Sequence, residues 1–115
     1  MGKTFHEELK DKIDNYIHLI YKVSKSFPGE ELYGVTSQLW RSALSVMLNY
    51  VEGYARGRNK INKNFLEISY GSLKESEYLI DFSLREKYIS ENIHKMLKDT
   101  SNIIGAMIWG IIRRL

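Results

Sequence analysis

Hydrophobic residues recur every three or four positions along most of this chain, which predicts a protein built from long helices. Thr4 and Glu7 have the spacing of a capping box and mark the start of the first helix. The motif Phe27-Pro28-Gly29 ends it, because proline and glycine both interrupt helices. The predicted core face of this helix comprises Leu9, Ile13, Tyr16, Ile20 and Val23.

The same periodicity predicts three further helices. Glu30 and Glu31 suit the positive end of a helix dipole, so the second helix is predicted to run from there to about Arg56. The third is predicted from about residue 61 to 87, and Ser90 is the predicted cap of the fourth. Short connections between four long helices favour an all-α, antiparallel up-down-up-down four-helix bundle, with residues 1–115 forming one domain.

The third predicted helix carries an apolar stripe beside a stripe of small residues. Small side chains allow the backbones of two helices to approach closely, so a tightly packed neighbour is expected there. The apolar stripe comprises Phe65, Ile68, Leu79 and Phe82, and the small-residue stripe comprises Ser69, Ser72, Ser76 and Ser83.

Residues 35–56 place a narrow polar line between two apolar flanks. A helix that is apolar on two flanks is expected to be covered on both, which would bury the polar line as well. Buried polar groups need hydrogen-bond partners, so we expect contacts to another helix or another subunit. Arg41 lies beside this line and Glu75 within an apolar stripe of the third helix, which favours an Arg–carboxylate pair. The predicted structural polar network or subunit interface comprises Gln38, Arg41, Ser45, Asn49, Glu52 and Glu75.

Composition adds few restrictions. The chain has 115 residues, of which 43% are hydrophobic and 27% charged, as in a globular domain. It contains no cysteine, which excludes disulfides and thiolate metal sites. The N-terminal residues lack a signal-peptide pattern, and the most apolar stretch, 103–112, is too short for a membrane span. The expected location is the cytoplasm, with no membrane partner.

The charge distribution gives the strongest functional indication. Net charge is +3, and in an up-down-up-down bundle the second connection lies at the same end as both termini. Lys3 joins the cations there, opposed chiefly by Glu7, Glu8 and Glu67. This pattern predicts a phosphate-binding surface, and a solvated rim that only aids solubility is the alternative. The candidate nucleic-acid-binding residues are Arg56, Arg58, Lys60, Lys63, Arg113 and Arg114.

Catalytic and metal sites are not indicated. A di-metal site in a bundle needs two Glu-x-x-His tetrads, and only Glu91–His94 has this form. The serines do not lie in a nucleophile elbow. Tyr54 and Tyr88 are suited to stacking on bases, although tyrosines in bundles usually belong to cores or interfaces. The sequence therefore predicts neither an enzyme nor a cofactor or metal.

The run from Phe27 to Arg41, FPGEELYGVTSQLWR, resembles the signature FP-x-E-E-x-[YF]-G-L-T-x-Q-x-R. That signature is typical of bacterial four-helix-bundle proteins first noted as products of intervening sequences in large-subunit ribosomal RNA genes. The resemblance covers about residues 5 to 112. Further matches, in chain order, are Ser45, Asn49, Glu52-Gly53-Tyr54, Phe65-Leu66, Gly71-Ser72-Leu73 and Glu75.

This resemblance implies a four-helix protomer and a ring-shaped homopentamer. The accessory variability determinant of diversity-generating retroelements is similar, and it is a basic pentamer that binds RNA and partners a reverse transcriptase. The implied function is therefore a non-catalytic homo-oligomer that binds structured RNA through its basic end, with a reverse transcriptase as one candidate partner. The alternative is a protein-interaction scaffold whose ring docks a partner protein without binding nucleic acid.

The chain departs from the family pattern at three places. Proline common near Met47 is absent, and Asn62 replaces a common aromatic residue. Lys87 replaces a glycine, so a different end to the third helix is expected.

Overall fold

The computed structural model describes residues 2–57 and 59–115, and helices dominate these residues. The all-α prediction is therefore confirmed. The connection before α2, residues 25–36, is the longest, residues 86–90 connect α3 to α4, and α2 and α3 are separated by only two residues. The four α-helices are α1 (Phe5–Ser24), α2 (Ser37–Arg56), α3 (Asn59–Arg85) and α4 (Glu91–Ile112).

Each helix packs against the next helix in the chain, and α4 packs back against α1. Trp40 at the start of α2 donates a 2.7 Å hydrogen bond to Ser24 at the end of α1. His94 early in α4 contacts Asp81 late in α3 at 2.8 Å. These contacts, and the two-residue connection between α2 and α3, make successive helices antiparallel. The result is the predicted up-down-up-down bundle.

Local sequence motifs correctly predict where two of the helices begin. The Thr4 hydroxyl accepts a hydrogen bond from the Glu7 backbone N–H, and the Glu7 carboxylate accepts one from the Thr4 backbone N–H, as a capping box requires. Ser90 accepts from the Ile93 N–H and caps α4. Both caps were predicted from residue type and spacing alone.

The predicted start of the second helix is wrong. Gly29–Glu31 forms a 3-10 turn and Leu32–Thr36 a wider π-helical turn, so α2 begins only at Ser37. Gly34 breaks regular geometry with φ −112° and ψ −117°. The Glu31 carboxylate accepts from the Val35 N–H at 3.4 Å, and a Cβ at residue 34 would lie 2.5 Å from that carboxylate. Glu31 therefore caps the distorted segment Leu32–Thr36 and not the regular helix α2.

The core combines the predicted face of α1 with an unexpected face of α3. Leu9, Ile13, Tyr16 and Ile20 are fully buried, as predicted. In the apolar stripe predicted for α3, Leu79 and Phe82 are half-buried against the core, whereas the prediction is wrong for Ile68, which is exposed. The buried face of α3 instead mixes aliphatic residues with the predicted small-residue stripe, and comprises Leu66, Ser69, Ser72, Leu73, Ser76, Ile80 and Ser83 together with Glu77.

The buried serines of α3 all find hydrogen-bond partners. Ser69 donates to the Val46 carbonyl of α2 at 2.6 Å, which requires the two helices to lie close together. Ser76 bonds the Tyr16 hydroxyl at 2.8 Å. Burial raises the pKa of Tyr16 well above its usual value, so the phenol stays neutral. Small polar side chains therefore fill the α2–α3 contact without leaving their own groups unpaired.

Helix α3 ends in the geometry that glycine usually adopts, although Lys87 occupies the position. Lys87 has φ +65°, in the left-handed region. Its N–H donates to Leu84 O at 2.9 Å, and the Tyr88 N–H donates to Ser83 O at 2.8 Å. These two bonds are those of a Schellman motif. The expectation that Lys87 changes the helix end is therefore wrong, because the motif forms and Lys87 bears the strain.

Candidate nucleic-acid interface

Four helix termini meet at one end of the bundle. The His6 Nδ1 atom at the start of α1 lies 2.6 Å from the Tyr50 hydroxyl near the end of α2. The rings of Tyr70 in α3 and Trp109 in α4 lie 5.6 Å apart, and both helices continue from there toward the same end. We call this region the basic end, defined among the described residues by Lys3, Arg56, Lys60, Lys63, Arg113 and Arg114.

The predicted cations occupy two neighbouring parts of the basic end. Lys60 and Lys63 lie in the first turns of α3 and, with Glu67, line a shallow depression of about 520 Å³. Arg113 and Arg114 follow α4 and are exposed. Arg58 is the remaining candidate and lies outside the described residues.

Two cations of the basic end are neutralised by acids that the sequence analysis did not count. Lys3 pairs with Asp11. Arg56 pairs with Glu52 at 2.7 Å, and its guanidinium lies over the Phe65 ring at 5.7 Å. The other described cations of the basic end are Lys60, Lys63, Arg113 and Arg114. Within residues 2–57 and 59–115, none of them forms an ion pair with an acid.

An aromatic stack lies beside these charges. The His6 ring is nearly parallel to the Tyr54 ring, with centroids 3.6 Å apart and an interplanar angle of 12°. Burial, with the nearby charge of Lys10, lowers the pKa of His6, so the imidazole is neutral at pH 7. Burial also raises the pKa of Tyr50 to about 12. His6 lies outside the predicted set of site residues, because no residue spacing in the sequence connects it with α2.

Three residues of the predicted polar network lie on the outside of the bundle. Arg41 Nε and Nη2 donate to Gln38 Oε1 at 3.0 and 2.9 Å, and Arg41 also pairs with Glu75 of α3. All three side chains are exposed in the single protomer, so burial of this pair would require a neighbouring subunit. The Arg41–Glu75 contact forms within one protomer. In water such a pair adds little stability.

The other members of the network are half-buried and satisfied by their own chain. Ser45 and Ser72 join α2 to α3 with Oγ atoms 2.7 Å apart. Asn49 Nδ2 donates to the Ser45 carbonyl at 2.9 Å. Glu52 forms the pair with Arg56. Ser72 of α3 and residues of α2 itself supply the partners, so the Ser45–Ser72 bond is the expected contact to another helix and the polar line does not by itself require another subunit.

The two apolar flanks of α2 differ in burial. The first flank is packed into the core through Leu39, Ala43, Val46 and Tyr50. On the second flank, Leu44 and Val51 are exposed, and Leu48 beside them is 65% exposed. We call Leu44, Leu48 and Val51 the outer stripe. No described part of the chain covers the outer stripe, and a contiguous exposed apolar surface commonly marks a site of protein association.

His94, the last residue of the one Glu-x-x-His tetrad, belongs to a salt-bridge network. His94 and Lys98 both contact the Asp81 carboxylate, at 2.8 and 3.1 Å. Burial alone would raise the pKa of Asp81, but the hydrogen bonds from His94 and Lys98 outweigh it and hold the pKa below its usual value. The described residues contain no cluster of three or more potential metal ligands. Among the same residues, no helix combines the length and apolarity needed to cross a membrane.

Comparisons with known proteins agree with this geometry. A family model described as 23S rRNA-intervening sequence protein matches residues 8–110. A crystal structure from Bacteroides thetaiotaomicron, described as a protein with unknown function from the S23 ribosomal protein family, has a similar fold with a TM-score of 0.83. The two sequences are 24% identical, and the match covers 90% of this chain and 97% of the other. No match was found among curated proteins.

Proposed function

Because this chain belongs to the family of 23S rRNA-intervening sequence proteins, we propose that it is a non-catalytic homo-oligomer that binds structured RNA through its basic end. Five subunits are the expected number. The observation that carries the proposal is the group of four cations at one end, Lys60, Lys63, Arg113 and Arg114, that have no acid partner in the described part of the chain.

Phosphate contacts suit such a surface. Lysine and arginine release condensed counterions when they bind a nucleic-acid backbone, which makes affinity depend steeply on salt. These contacts position the protein on the RNA and carry no base information directly. Recognition would then depend on the shape of the folded RNA and the placement of its phosphates. A single protomer offers few such contacts and would bind weakly.

Self-association would multiply the contacts. The outer stripe supports it, since Leu48 in particular would bury apolar surface against a second copy. In a closed ring every subunit has the same orientation along the rotation axis, so all basic ends would face one side. Simultaneous engagement of several subunits raises affinity far above that of one.

The test reverses charge at the basic end. In the double variant Arg113→Glu/Arg114→Glu, affinity for an RNA hairpin at low salt should fall about tenfold or more, and the salt dependence should become shallower by roughly two phosphate contacts. Fluorescence anisotropy across a salt titration measures both. The matched control is Lys22→Glu/Lys25→Glu, which changes charge equally on exposed residues at the other end. Equal losses in both variants would contradict the site assignment.

A protein-interaction scaffold is the second candidate, and the uncovered outer stripe favours it. In that case the ring would dock a partner protein, with a reverse transcriptase as one candidate, and the basic end would be incidental. Retention of the partner after nuclease treatment and in high salt would support this function. Retention that disappears with nuclease would support RNA binding instead.

A further inference from the structure

We propose that the exposed face of the Tyr54 ring takes an unpaired nucleobase, so that the basic end prefers RNA with single-stranded segments over continuous duplex. This inference rests on the proposed RNA binding and names the kind of RNA bound. It assigns a stacking role to the His6–Tyr54 pair, in addition to the phosphate contacts of the cations.

The stack leaves one ring face open. His6 covers one face of Tyr54 in a parallel arrangement at 3.6 Å, yet Tyr54 remains 56% exposed. The surface that water reaches must therefore lie on the opposite face and the ring edge. A base placed on that face would extend the stack by one layer.

The platform is held in position before any ligand arrives. Tyr54 belongs to the last turn of α2, so its backbone is fixed by the helix. His6 is held by its 2.6 Å hydrogen bond to Tyr50, whose own side chain is almost fully buried. A fixed aromatic surface loses little conformational freedom on binding, which favours stacking.

Positive charge lies close to the platform. Lys10 is near enough to His6 to contribute to its lowered pKa. Arg114 and Phe5, the residue before His6, line a groove beside the start of α1. Aromatic rings interleaved with basic side chains are the usual surface for single strands, because bases stack while phosphates are neutralised.

Two other exposed tyrosines lack these surroundings. Tyr33 is 92% exposed but lies two residues after Glu31, and Tyr78 lies one turn after Glu75 and one turn before Asp81. Neighbouring carboxylates would repel a phosphate backbone. Exposure of an aromatic ring alone thus does not select Tyr54, whereas exposure combined with positive charge does.

The experiment compares two ligands with equal numbers of phosphates: an unpaired oligoribonucleotide carrying one 2-aminopurine, and a blunt RNA duplex. Tyr54→Leu should weaken binding of the unpaired strand about tenfold, within the range reported for loss of one stacked base, and change duplex binding less than about twofold. Tyr54→Phe keeps the ring and should bind the strand like the natural protein. Tyr78→Leu, in the other half of the bundle, should leave both affinities unchanged.

A second readout does not depend on any variant folding correctly. When the natural protein is saturated with the labelled strand, stacking should quench 2-aminopurine fluorescence, and a bound strand without quenching would overturn the inference. If Tyr54→Leu binds both ligands like the natural protein while Arg113→Glu/Arg114→Glu binds neither, RNA binding stands and the stacking role falls. If the natural protein binds neither ligand at low salt, both proposals fall together.

Discussion

The two ends of the bundle use their polar residues differently. At the end formed by residues 25–36 and 86–90, which we call the loop end, polar side chains complete the fold. Glu31 accepts hydrogen bonds from the Val35 N–H and from the Tyr88 hydroxyl, the latter at 2.8 Å. At the basic end, Lys60 and Lys63 have no ion pair within the described residues.

This difference separates residues that identify the family from residues that indicate function. The motif FPGEELYG lies at the loop end, where Phe27 is buried against Tyr88 with ring centroids 5.4 Å apart. Its glycine and glutamate shape the connection into α2. The motif is therefore explained by folding, and functional indications come from groups at the opposite end that the fold leaves unused.

The largest predicted effect is on stability at the basic end, where α2 closes onto α3. A Cβ at Gly53 would lie 2.9 Å from Phe65 Cβ and 3.2 Å from the Asn62 carbonyl oxygen. Gly53→Ala should therefore lower the free energy of unfolding by about 2 kcal/mol through overpacking. Gly110→Ala is the matched control, since its Cβ would meet nothing within 4 Å. Urea denaturation measures both, and equal stabilities would contradict the close approach.

The next effect tests whether the motif at the loop end has a folding role. Glu31→Ala removes the acceptor for Val35 and Tyr88 and should lower the free energy of unfolding by about 1–2 kcal/mol. Glu30→Ala removes an exposed neighbouring carboxylate and should change stability little. RNA affinity should be the same in both variants. A loss of affinity in Glu31→Ala with unchanged stability would mean that the loop end takes part in binding.

A smaller effect on stability is expected from the different residues that end helices α2 and α3. Gly57 ends α2 with φ +70°, a conformation that costs glycine nothing, whereas Lys87 ends α3 with φ +65°. Lys87→Gly should raise the free energy of unfolding by about 0.5–1 kcal/mol, because relief of strain exceeds the added freedom of the unfolded chain. Lys87→Ala keeps a Cβ and should give no such gain. A gain of equal size in both would point to charge instead of backbone strain.

The smallest effect concerns pH. The folded-state pKa of His6 lies below its usual value of 6.5, so the unfolded chain binds the proton more tightly. The stability contributed by neutral His6 is fully present above about pH 6.5 and is lost as pH falls through the lower, folded-state pKa. His6→Gln should flatten the decline in melting temperature over that range. His18→Gln, at an exposed position, should not.

The sequence predicted the features that depend on nearby residues. Thr4 and Ser90 cap their helices through atoms three residues away, and the serine stripe of α3 follows from spacing. Beside the distortion before Ser37, Glu31 contacts Tyr88, which is 57 residues away. Such a contact leaves no periodic signal in the sequence.

The candidate site was predictable only in part. The gathering of cations follows from the topology, and the Glu52–Arg56 pair could have been found from its i, i+4 spacing. Burial of the polar line could not be predicted, because both flanks of α2 are apolar and the pattern does not say which faces inward. Leu39 is packed in the core, whereas Leu48, the same residue type, is covered by no described part of the chain.

The Glu31 carboxylate joins the α1–α2 connection to the α3–α4 connection, which are far apart in the chain. It accepts hydrogen bonds from both the Val35 N–H and the Tyr88 hydroxyl. Neither connection can detach without breaking a bond to the other, so they form one cooperative unit of local unfolding. Amide hydrogen exchange at Val35 and Tyr88 should then report the same opening free energy.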